Sequence, residues 1–268
     1  MIAPLDEPMT PPPGGHLTTA PSGSPGEHRR GLLAGARLYL CMPDRPDLER
    51  FAVACVTGGV DVVQLREKHL EARPLLERAR RLRDALEGSD ALLFLNDRPD
   101  LALEAGADGV HVGQDDAPPS LARRILGPEH LVGLSTHRAS ELEDALGQPI
   151  DYLSAGPVVP TPTKPGRPGT GLGYVCLAAT RCRQVQRSTS PPAPSRLAPS
   201  SSGHQAGRDA PLPFFVTGNV TPEAIPRLSS AGASRFVAVR YLTEASDPAT
   251  AARRLREAIE QALVSDPG

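Results

Sequence analysis

The chain has 268 residues, of which 39% are apolar and 30 are prolines, so polar, proline-rich segments must accompany its core. A net charge of −2 excludes the strongly basic surface that nucleic acid or an anionic membrane would require. The sequence has no run of roughly 18 apolar residues and no signal peptide, and its four cysteines form no C-x-x-C pair. We therefore expect a cytoplasmic protein with reduced thiols.

Two segments are too polar and too rich in proline, glycine and serine to fold by burying apolar surface. Residues 1–34 are predicted to be a disordered leader, and residues 188–211 a disordered insert. The remaining residues between 35 and 266 are predicted to form one catalytic domain, which the insert interrupts.

Short apolar runs alternate with amphipathic stretches along the predicted domain, as in proteins built from a buried parallel sheet. Helices are best indicated at 75–86 and 250–263, and a further helix is predicted to start at Thr221-Pro222-Glu223, an N-cap followed by proline. The predicted strands are 37–42, 60–66, 91–96, 109–112, 131–135, 152–155, 214–217 and 235–239.

Eight strand–helix units in one chain predict a closed (β/α)8 TIM barrel. The alternative is an open, doubly wound sheet, but strand 1 is not followed by the glycine-rich fingerprint of nucleotide-binding folds. In a barrel, the insert joins helix 6 to strand 7 and emerges on the N-terminal face, opposite the face where active sites lie.

Strand 2 ends in alternating polar side chains, Gln64, Arg66 and Lys68, which share one direction because strand side chains alternate. Two cations and an amide that converge inside a barrel mouth indicate an anion-binding site. The alternative is an Arg–Glu ion pair that plugs the mouth.

Strands 3 and 4 each deliver a carboxylate at the same end of the barrel, Asp97 and Asp116. Two carboxylates together with substrate phosphate oxygens suit Mg²⁺. The alternative is that each aspartate caps the N-terminus of the helix that follows it.

The remaining strands end in small or hydroxyl-bearing residues. Ser135 ends strand 5, and a loop that contains Thr161, Pro162, Thr163 and Lys164 follows strand 6. This loop is either a cover for a diphosphate or an ordinary proline-stiffened loop. Strands 7 and 8 lead into Asn219, Val239 and Arg240, where barrels of this type commonly bind phosphate. We expect His111 to pack inside the barrel and His137 to begin a helix.

The positions of rare residue types also indicate that the site lies where the predicted strands end. The chain has only two lysines and two asparagines, Lys68, Lys164, Asn96 and Asn219, and all four follow predicted strands. Because arginine otherwise replaces lysine throughout the chain, the two surviving lysines indicate positions where a compact point charge is required.

Four motifs in this order resemble the thiamine-phosphate synthase (thiamine-phosphate pyrophosphorylase) family, over about residues 36–264 apart from the insert. They are Gln64-Leu65-Arg66-Glu67-Lys68, Asn96-Asp97-Arg98, Gly109-Val110-His111-Val112-Gly113-Gln114-Asp115-Asp116 and Gly156-Pro157-Val158-Val159-Pro160-Thr161-Pro162-Thr163-Lys164. The resemblance implies a transferase that joins hydroxymethylpyrimidine diphosphate to a thiazole phosphate, or its carboxylated form, giving thiamine phosphate and pyrophosphate. It implies dissociative loss of pyrophosphate and dependence on Mg²⁺.

The resemblance also implies roles for individual residues. Asp97 and Asp116 are implied to bind Mg²⁺, and Thr161, Pro162, Thr163, Asn219, Val239 and Arg240 to line the thiazole phosphate site. Arg66, Lys68, Lys164 and Ser135 are the implied catalytic residues. The implied ligands of the pyrimidine diphosphate are Gln64, Leu65, Arg66, Glu67, Lys68, Asn96, Ser135 and Lys164.

Two positions depart from the family pattern, Asn219 where Gly-Gly-Ile is usual and Arg240 where serine is frequent. Asparagine tolerates the left-handed backbone, so we expect the turn at Asn219 to be kept. The rival hypotheses are a thiazole tautomerase of the same superfamily and a non-catalytic protein that binds phosphometabolites. The expected partners are small molecules, with no nucleic acid and no membrane, and the sequence leaves a homo-oligomer open.

Overall fold

The computed structural model describes residues 23–161, 168–185 and 211–265. Eight parallel strands close into a barrel in the order β1 to β8, with β8 paired to β1. The prediction of a TIM barrel is confirmed, and the open-sheet alternative is wrong. The strands are β1 Leu38–Met42, β2 Val62–Leu65, β3 Leu92–Asn96, β4 Gly109–Val112, β5 Leu131–Thr136, β6 Tyr152–Ala155, β7 Phe214–Thr217 and β8 Phe236–Ala238.

Helices follow the strands and surround the barrel. The two best-indicated helices are confirmed as α3 and α10, whereas the helix predicted to start at Thr221 begins four residues later, because Thr221-Pro222-Glu223 lies before α8. The helices are α1 Pro25–Gly35, α2 Leu48–Thr57, α3 Ala72–Ala85, α4 Pro99–Glu104, α5 Pro119–Leu126, α6 Ala139–Leu146, α7 Gly171–Gln184, α8 Ile225–Ser229, α9 Arg240–Thr243 and α10 Pro248–Ser265. Within the described ranges, no helix is long and apolar enough to cross a membrane.

Apolar side chains form two layers, as the alternation of a strand requires. The outer layer packs the strands against the helices and contains residues such as Val63, Leu65 and Leu95. The inner layer fills the barrel and is dominated by aromatic rings, Tyr39, Phe94, Tyr152 and Phe215. Phe94 and Tyr152 meet edge to face at a centroid distance of 5.5 Å, and Tyr39 and Phe215 do so at 5.3 Å.

The leader prediction is wrong for residues 25–34, because they form most of α1, while residues 1–22 lie outside the described residues. Ser24 and Glu27 cap the helix reciprocally, each accepting a hydrogen bond from the other's backbone N–H. Leu33 is 1% exposed and belongs to the inner barrel layer. Helix α1 therefore closes the N-terminal mouth of the barrel.

Aspartates stand one residue before alternate strands on this N-terminal face. Asp61, Asp108 and Asp151 precede β2, β4 and β6, and each accepts a hydrogen bond from a backbone N–H at the start of the preceding strand. Each also pairs with arginine: Asp61 with α10, Asp108 with α1, and Asp151 with both α1 and α5. These contacts join neighbouring strands and fasten α1 to the barrel.

The chain leaves the described structure after Val185 and returns at Pro211. The backbone N–H of Leu212 donates to the carbonyl oxygen of Cys182 at 3.2 Å, so the two ends lie together between α7 and β7. This junction is on the N-terminal face, as predicted, and nearly all of the predicted insert lies outside the described residues.

Candidate active site

A cavity of about 540 Å³ opens at the C-terminal ends of the strands. Its walls include residues from every predicted strand end, which places the anion, metal and phosphate candidates around one space. The predicted site residues that line it are Gln64, Arg66, Lys68, Asn96, Asp97, Asp116, Ser135, Thr161, Asn219, Val239 and Arg240.

Two other described residues of the predicted site, Leu65 and Glu67, are not brought to this cavity. Leu65 points to the opposite side of β2 and packs in the outer apolar layer, as strand alternation requires. The Glu67 carboxylate accepts a hydrogen bond from the backbone N–H of His69 instead. The proposed ion-pair plug is also not formed, because no salt bridge joins Arg66 to Glu67, both of which are described residues. Pro162, Thr163 and Lys164 lie outside the described residues.

Lys68 lies between the two candidate metal ligands. Its Nζ atom is 2.7 Å from Asp97 Oδ2 and 3.8 Å from Asp116 Oδ1. Neither aspartate caps a helix, since α4 begins after Arg98 and α5 after Pro118. The Asp116 carboxylate instead accepts the backbone N–H of Gly113 at 2.9 Å. The helix-capping alternative is therefore wrong, and both carboxylates are left facing a cation.

The two carboxylates perturb each other's protonation. Burial raises the pKa of Asp97, and the hydrogen bond with Asp116 adds to this rise, against the lowering effect of Lys68. Burial would also raise the pKa of Asp116, but the hydrogen bonds from Asp97 and the Gly113 N–H, with the charges of Lys68 and Arg66, lower it overall. The pair thus retains a proton on Asp97 more readily than an isolated carboxyl group would, and a second cation would displace it.

The backbone at Asp97 is unusual, with a φ of +62° immediately after β3. A non-glycine residue in the left-handed region is destabilising by roughly 1–2 kcal/mol, and such strain clusters at functional sites. Its backbone N–H donates to the carbonyl oxygen of His111 at 2.9 Å, which holds this turn against β4. The turn directs the Asp97 side chain towards Lys68 and Asp116.

Buried polar side chains line the barrel beneath the carboxylates. In the register of the sheet, Asn96 is opposite His111 and Ser135 is opposite Ser154, so side chains on neighbouring strands meet. Gln64 donates to Asn96 at 2.7 Å, and His111 contacts Ser135 at 2.8 Å. The expectation that His111 packs inside the barrel is confirmed, since it is 8% exposed, but it also lines the cavity.

The loops after β6 and β7 approach each other closely on the other side of the cavity. A Cβ atom on Gly156 would lie 2.4 Å from the carbonyl oxygen of Thr217, and one on Gly218 would lie 2.4 Å from the amide nitrogen of Val158. Asn219 has a φ of +54°, which confirms that the turn is kept in the left-handed region. The Arg240 Nη2 atom lies 3.4 Å from Asn219 Oδ1, and both side chains are exposed to the cavity.

Several cavity residues were not predicted to belong to the site. Tyr241 and Glu244 belong to or directly follow α9, the helical turn that begins at Arg240, and their position after a strand end was the available signal. Tyr39 lies beneath the cavity, and its apolar neighbours in the sequence do not indicate that its hydroxyl group belongs to the site. His137 also lines the cavity, and its Nδ1 atom contacts the carbonyl oxygen of Gly156.

Known proteins of one family are similar to this chain over most of its length. The family described as "Thiamine monophosphate synthase" matches residues 38–242. "Thiamine-phosphate synthase" from Mycobacterium sp. (strain JLS) is 42% identical over 239 residues, 85% of this chain and 94% of that protein. The protein of the same name from Mycobacterium bovis (strain BCG / Pasteur 1173P2) is 40% identical over 86% of this chain and 97% of that protein.

Solved structures show the same relationship. "Thiamine phosphate pyrophosphorylase" from Pyrococcus furiosus superposes with a TM-score of 0.69 at 25% identity, covering 87% of this chain and 99% of that one. A 3-hexulose-6-phosphate synthase, at 19% identity and a TM-score of 0.55, shares the fold alone. The family match spans most of the barrel and all of its described strand-end motifs. The chain therefore belongs to the thiamine monophosphate synthase family.

Proposed function

We propose that this chain carries out its family's transferase reaction with the residues of the strand-end cavity, in two halves. In the first half, the bond between the pyrimidine methylene carbon and the diphosphate oxygen breaks, and its electron pair leaves with pyrophosphate. In the second, the lone pair of the thiazole ring nitrogen forms the new C–N bond, giving thiamine phosphate. The observation that carries the proposal is the position of Lys68 between Asp97 and Asp116, at the mouth of a cavity that also presents Arg66.

The two carboxylates fit a bound Mg²⁺. Lys68 lies within ion-pair distance of both, so it already occupies the position of a shared cation. The described residues contain no cluster of three or more metal-ligating side chains. Two carboxylates still suit Mg²⁺, which completes its coordination with water and substrate phosphate. When bound, Mg²⁺ would neutralise part of the charge on the diphosphate.

Protein cations and amides would hold the pyrimidine diphosphate. Arg66 and Lys68 line the cavity beside the carboxylates and would stabilise the negative charge that develops on the leaving pyrophosphate. Lys164, outside the described residues, is proposed to act with them. Gln64, Asn96 and Ser135 lie deeper, each less than a tenth exposed, and would bind the pyrimidine ring.

The opposite wall would bind the thiazole phosphate. Asn219 and Arg240 are within hydrogen-bond range of each other and face the cavity, and Val239 and Thr161 complete this wall. A guanidinium can bind phosphate through two parallel hydrogen bonds, so Arg240 would strengthen phosphate binding. The Pro162 and Thr163 side chains are proposed to contact the same phosphate.

No general base is required, because the thiazole nitrogen that attacks carries no proton. Catalysis then depends on stabilising the leaving group and on aligning the two rings, which a rigid barrel floor can supply. The aromatic rings beneath the cavity, including Tyr39 and Tyr152, are buried and packed edge to face against Phe215. We also propose that the enzyme is cytoplasmic, since its four cysteines form no C-x-x-C pair and three of them are buried.

One assay tests the proposal against its rivals. The full chain is incubated with the pyrimidine diphosphate and the thiazole phosphate, with and without Mg²⁺, and thiamine phosphate is measured. Mg²⁺-dependent formation of thiamine phosphate is expected. Isomerisation of the thiazole alone would favour the tautomerase, and binding without turnover would favour a non-catalytic protein.

A further inference from the structure

A chain of buried hydrogen bonds crosses the interior of the barrel beneath the cavity. Each of its six side chains comes from a different strand, β1 to β6, and each is less than a tenth exposed. The first and last members along the sequence, Tyr39 and Tyr152, bond directly to each other at 2.9 Å through their hydroxyl groups. The members are Tyr39, Gln64, Asn96, His111, Ser135 and Tyr152.

We propose that this series of six hydrogen-bonded side chains is a directional relay, in which Tyr39 and Tyr152 act as positioning residues. The two phenols set the tautomer of His111, with the proton on Nδ1, and thereby fix which way the Ser135 hydroxyl donates. Neither tyrosine needs to touch a reacting atom for this role. Their hydroxyl groups determine the hydrogen-bonding character of the floor on which a substrate ring would rest.

The direction follows from the amide of Gln64. Its Nε2 atom donates to Asn96 Oδ1 at 2.7 Å, so its Oε1 atom is the one that faces Tyr39 at 3.2 Å. A carbonyl oxygen only accepts hydrogen bonds, and the Tyr39 hydroxyl must therefore donate to it. Because a phenol has a single proton, Tyr39 has none left for its bond with Tyr152. Tyr152 is consequently the donor in that bond.

The same count of hydroxyl protons determines the tautomer of His111. The Tyr152 hydroxyl, having donated to Tyr39, must accept at its 2.9 Å contact with His111 Nδ1. In the neutral ring, Nδ1 then carries the proton and Nε2 is an acceptor. Burial raises the pKa of both tyrosines, so both hydroxyl groups keep the protons that this assignment requires.

The tautomer of His111 determines how Ser135, which lines the cavity, forms hydrogen bonds. Its hydroxyl lies 2.8 Å from His111 Nε2 and must donate to it, while the hydroxyl of Ser154 donates to Ser135 at 3.3 Å. With its only proton directed to His111, the Ser135 hydroxyl can only accept a hydrogen bond from a ligand. On the other side, Asn96 uses its carbonyl oxygen to accept from Gln64, which leaves amide N–H groups as the polar atoms for a ligand.

The cavity floor thus has an acceptor side at Ser135 and a donor side at Gln64 and Asn96. An aminopyrimidine ring has the complementary pattern, with an amino group that donates and ring nitrogens that accept. This match rests on the proposed function, whereas the tautomer of His111 follows from the protein alone. The relay would select the orientation of the ring before the diphosphate leaves.

The test is the tautomer of His111, measured by nitrogen NMR on the full-length, ligand-free protein. The chain has seven histidines, and a His111→Gln sample identifies the resonance of interest. We expect the proton on Nδ1 in the unsubstituted protein. In Tyr39→Phe, Tyr152 loses its acceptor, so its hydroxyl is released to donate to Nδ1. The His111 proton should then move to Nε2, although Tyr39 is not hydrogen bonded to the histidine.

A matched control is Tyr174→Phe, which also removes a buried phenol hydroxyl, on α7 and outside the relay. It should leave the tautomer unchanged, and thermal unfolding should show that both variants fold. An Nε2 proton or a doubly protonated ring in the unsubstituted protein would overturn the proposal. A folded Tyr39→Phe variant whose His111 tautomer is unchanged would also overturn it.

Steady-state kinetics supply a second readout. Tyr39→Phe should raise KM for the pyrimidine diphosphate by about tenfold, the usual effect of one misdirected hydrogen bond, with KM for the thiazole phosphate unchanged. Equal changes in both KM values would contradict selective positioning of the pyrimidine ring. If the unsubstituted protein made no thiamine phosphate, the proposed function would fail, and the NMR result would still decide whether the relay exists.

Discussion

The two ends of the barrel use carboxylates in opposite ways. At the N-terminal end, Asp61, Asp108 and Asp151 each accept a backbone N–H and pair with arginine. At the C-terminal end, Asp97 and Asp116 share one lysine. The first arrangement neutralises charge within the chain and holds strands together. The second leaves negative charge that a bound cation would neutralise, and this difference separates a structural face from the proposed catalytic one.

The largest expected effect is on turnover when a C-terminal carboxylate is removed. Asp116→Ala should lower kcat/KM by about 10³-fold, because it deletes half of the proposed Mg²⁺ site. Steady-state kinetics across a range of Mg²⁺ concentrations measure this loss. Asp100→Ala, which removes an exposed carboxylate paired with Arg98, is the control and should keep full activity. Unchanged activity in Asp116→Ala would remove Asp116 from the metal site.

The equivalent change at the N-terminal end should affect stability instead. Asp151→Ala removes a side chain that is 6% exposed, deprives two arginines of their ion-pair partner and removes the acceptor of the Val132 N–H. The free energy of unfolding should fall by about 3 kcal/mol. Denaturant titration measures this fall, and kcat/KM of the folded fraction should be unchanged. A loss of activity without a loss of stability would contradict a purely structural role for this carboxylate.

A smaller loss of stability is expected when the N-terminal closure is weakened. Leu33→Ala leaves a cavity where α1 enters the inner barrel layer, and should lower the free energy of unfolding by about 2 kcal/mol. Val264→Ala truncates an apolar side chain that is 84% exposed and should be neutral. Equal stability of the two variants, compared by thermal unfolding, would show that α1 does not close the barrel.

The smallest expected effect is on how stability depends on pH through Asp97 and Asp116, the carboxylates at the C-terminal end of the barrel. The folded state raises the pKa of Asp97, so its ionisation lowers stability as the pH rises from the unfolded-state value through the folded-state value. Asp97→Asn removes that penalty and keeps a residue that tolerates a positive φ. We expect a small rise in the Tm of the ligand-free protein near neutral pH that vanishes in acid. A rise that persisted in acid would assign the effect to the backbone.

The strands were predictable because buried parallel strands are nearly continuous apolar runs, and their ends carry the polar motifs of the site. Helix α1 was not predicted, although Ser24 and Glu27 have the spacing of a capping box. Its segment has few apolar residues, and its stability comes from distant contacts, such as the pairing of Arg29 with Asp108. Contacts of that kind cannot be inferred from local composition.

The candidate site was predicted best where charged residues come soon after strands. Lys68, Asp97 and Asp116 each lie within four residues of the C-terminal end of a strand, so the closure of the barrel brings them together. Tyr39 and Tyr152 were missed because their neighbours are apolar and because the bond between them spans 113 positions. Only the register of the closed barrel shows that two tyrosines in apolar strands face one another.

The hydrogen bond between Leu212 and Cys182 also makes the junction of α7 and β7 a natural place to cut the chain. Since the two ends meet there, on the face remote from the cavity, new termini or an inserted reporter domain would not stretch the barrel. The entropic cost of closing a loop grows only with the logarithm of its length, so a long inserted segment would destabilise the fold little. The junction thus offers a handle for labelling or immobilising the enzyme while its cavity stays open to substrate.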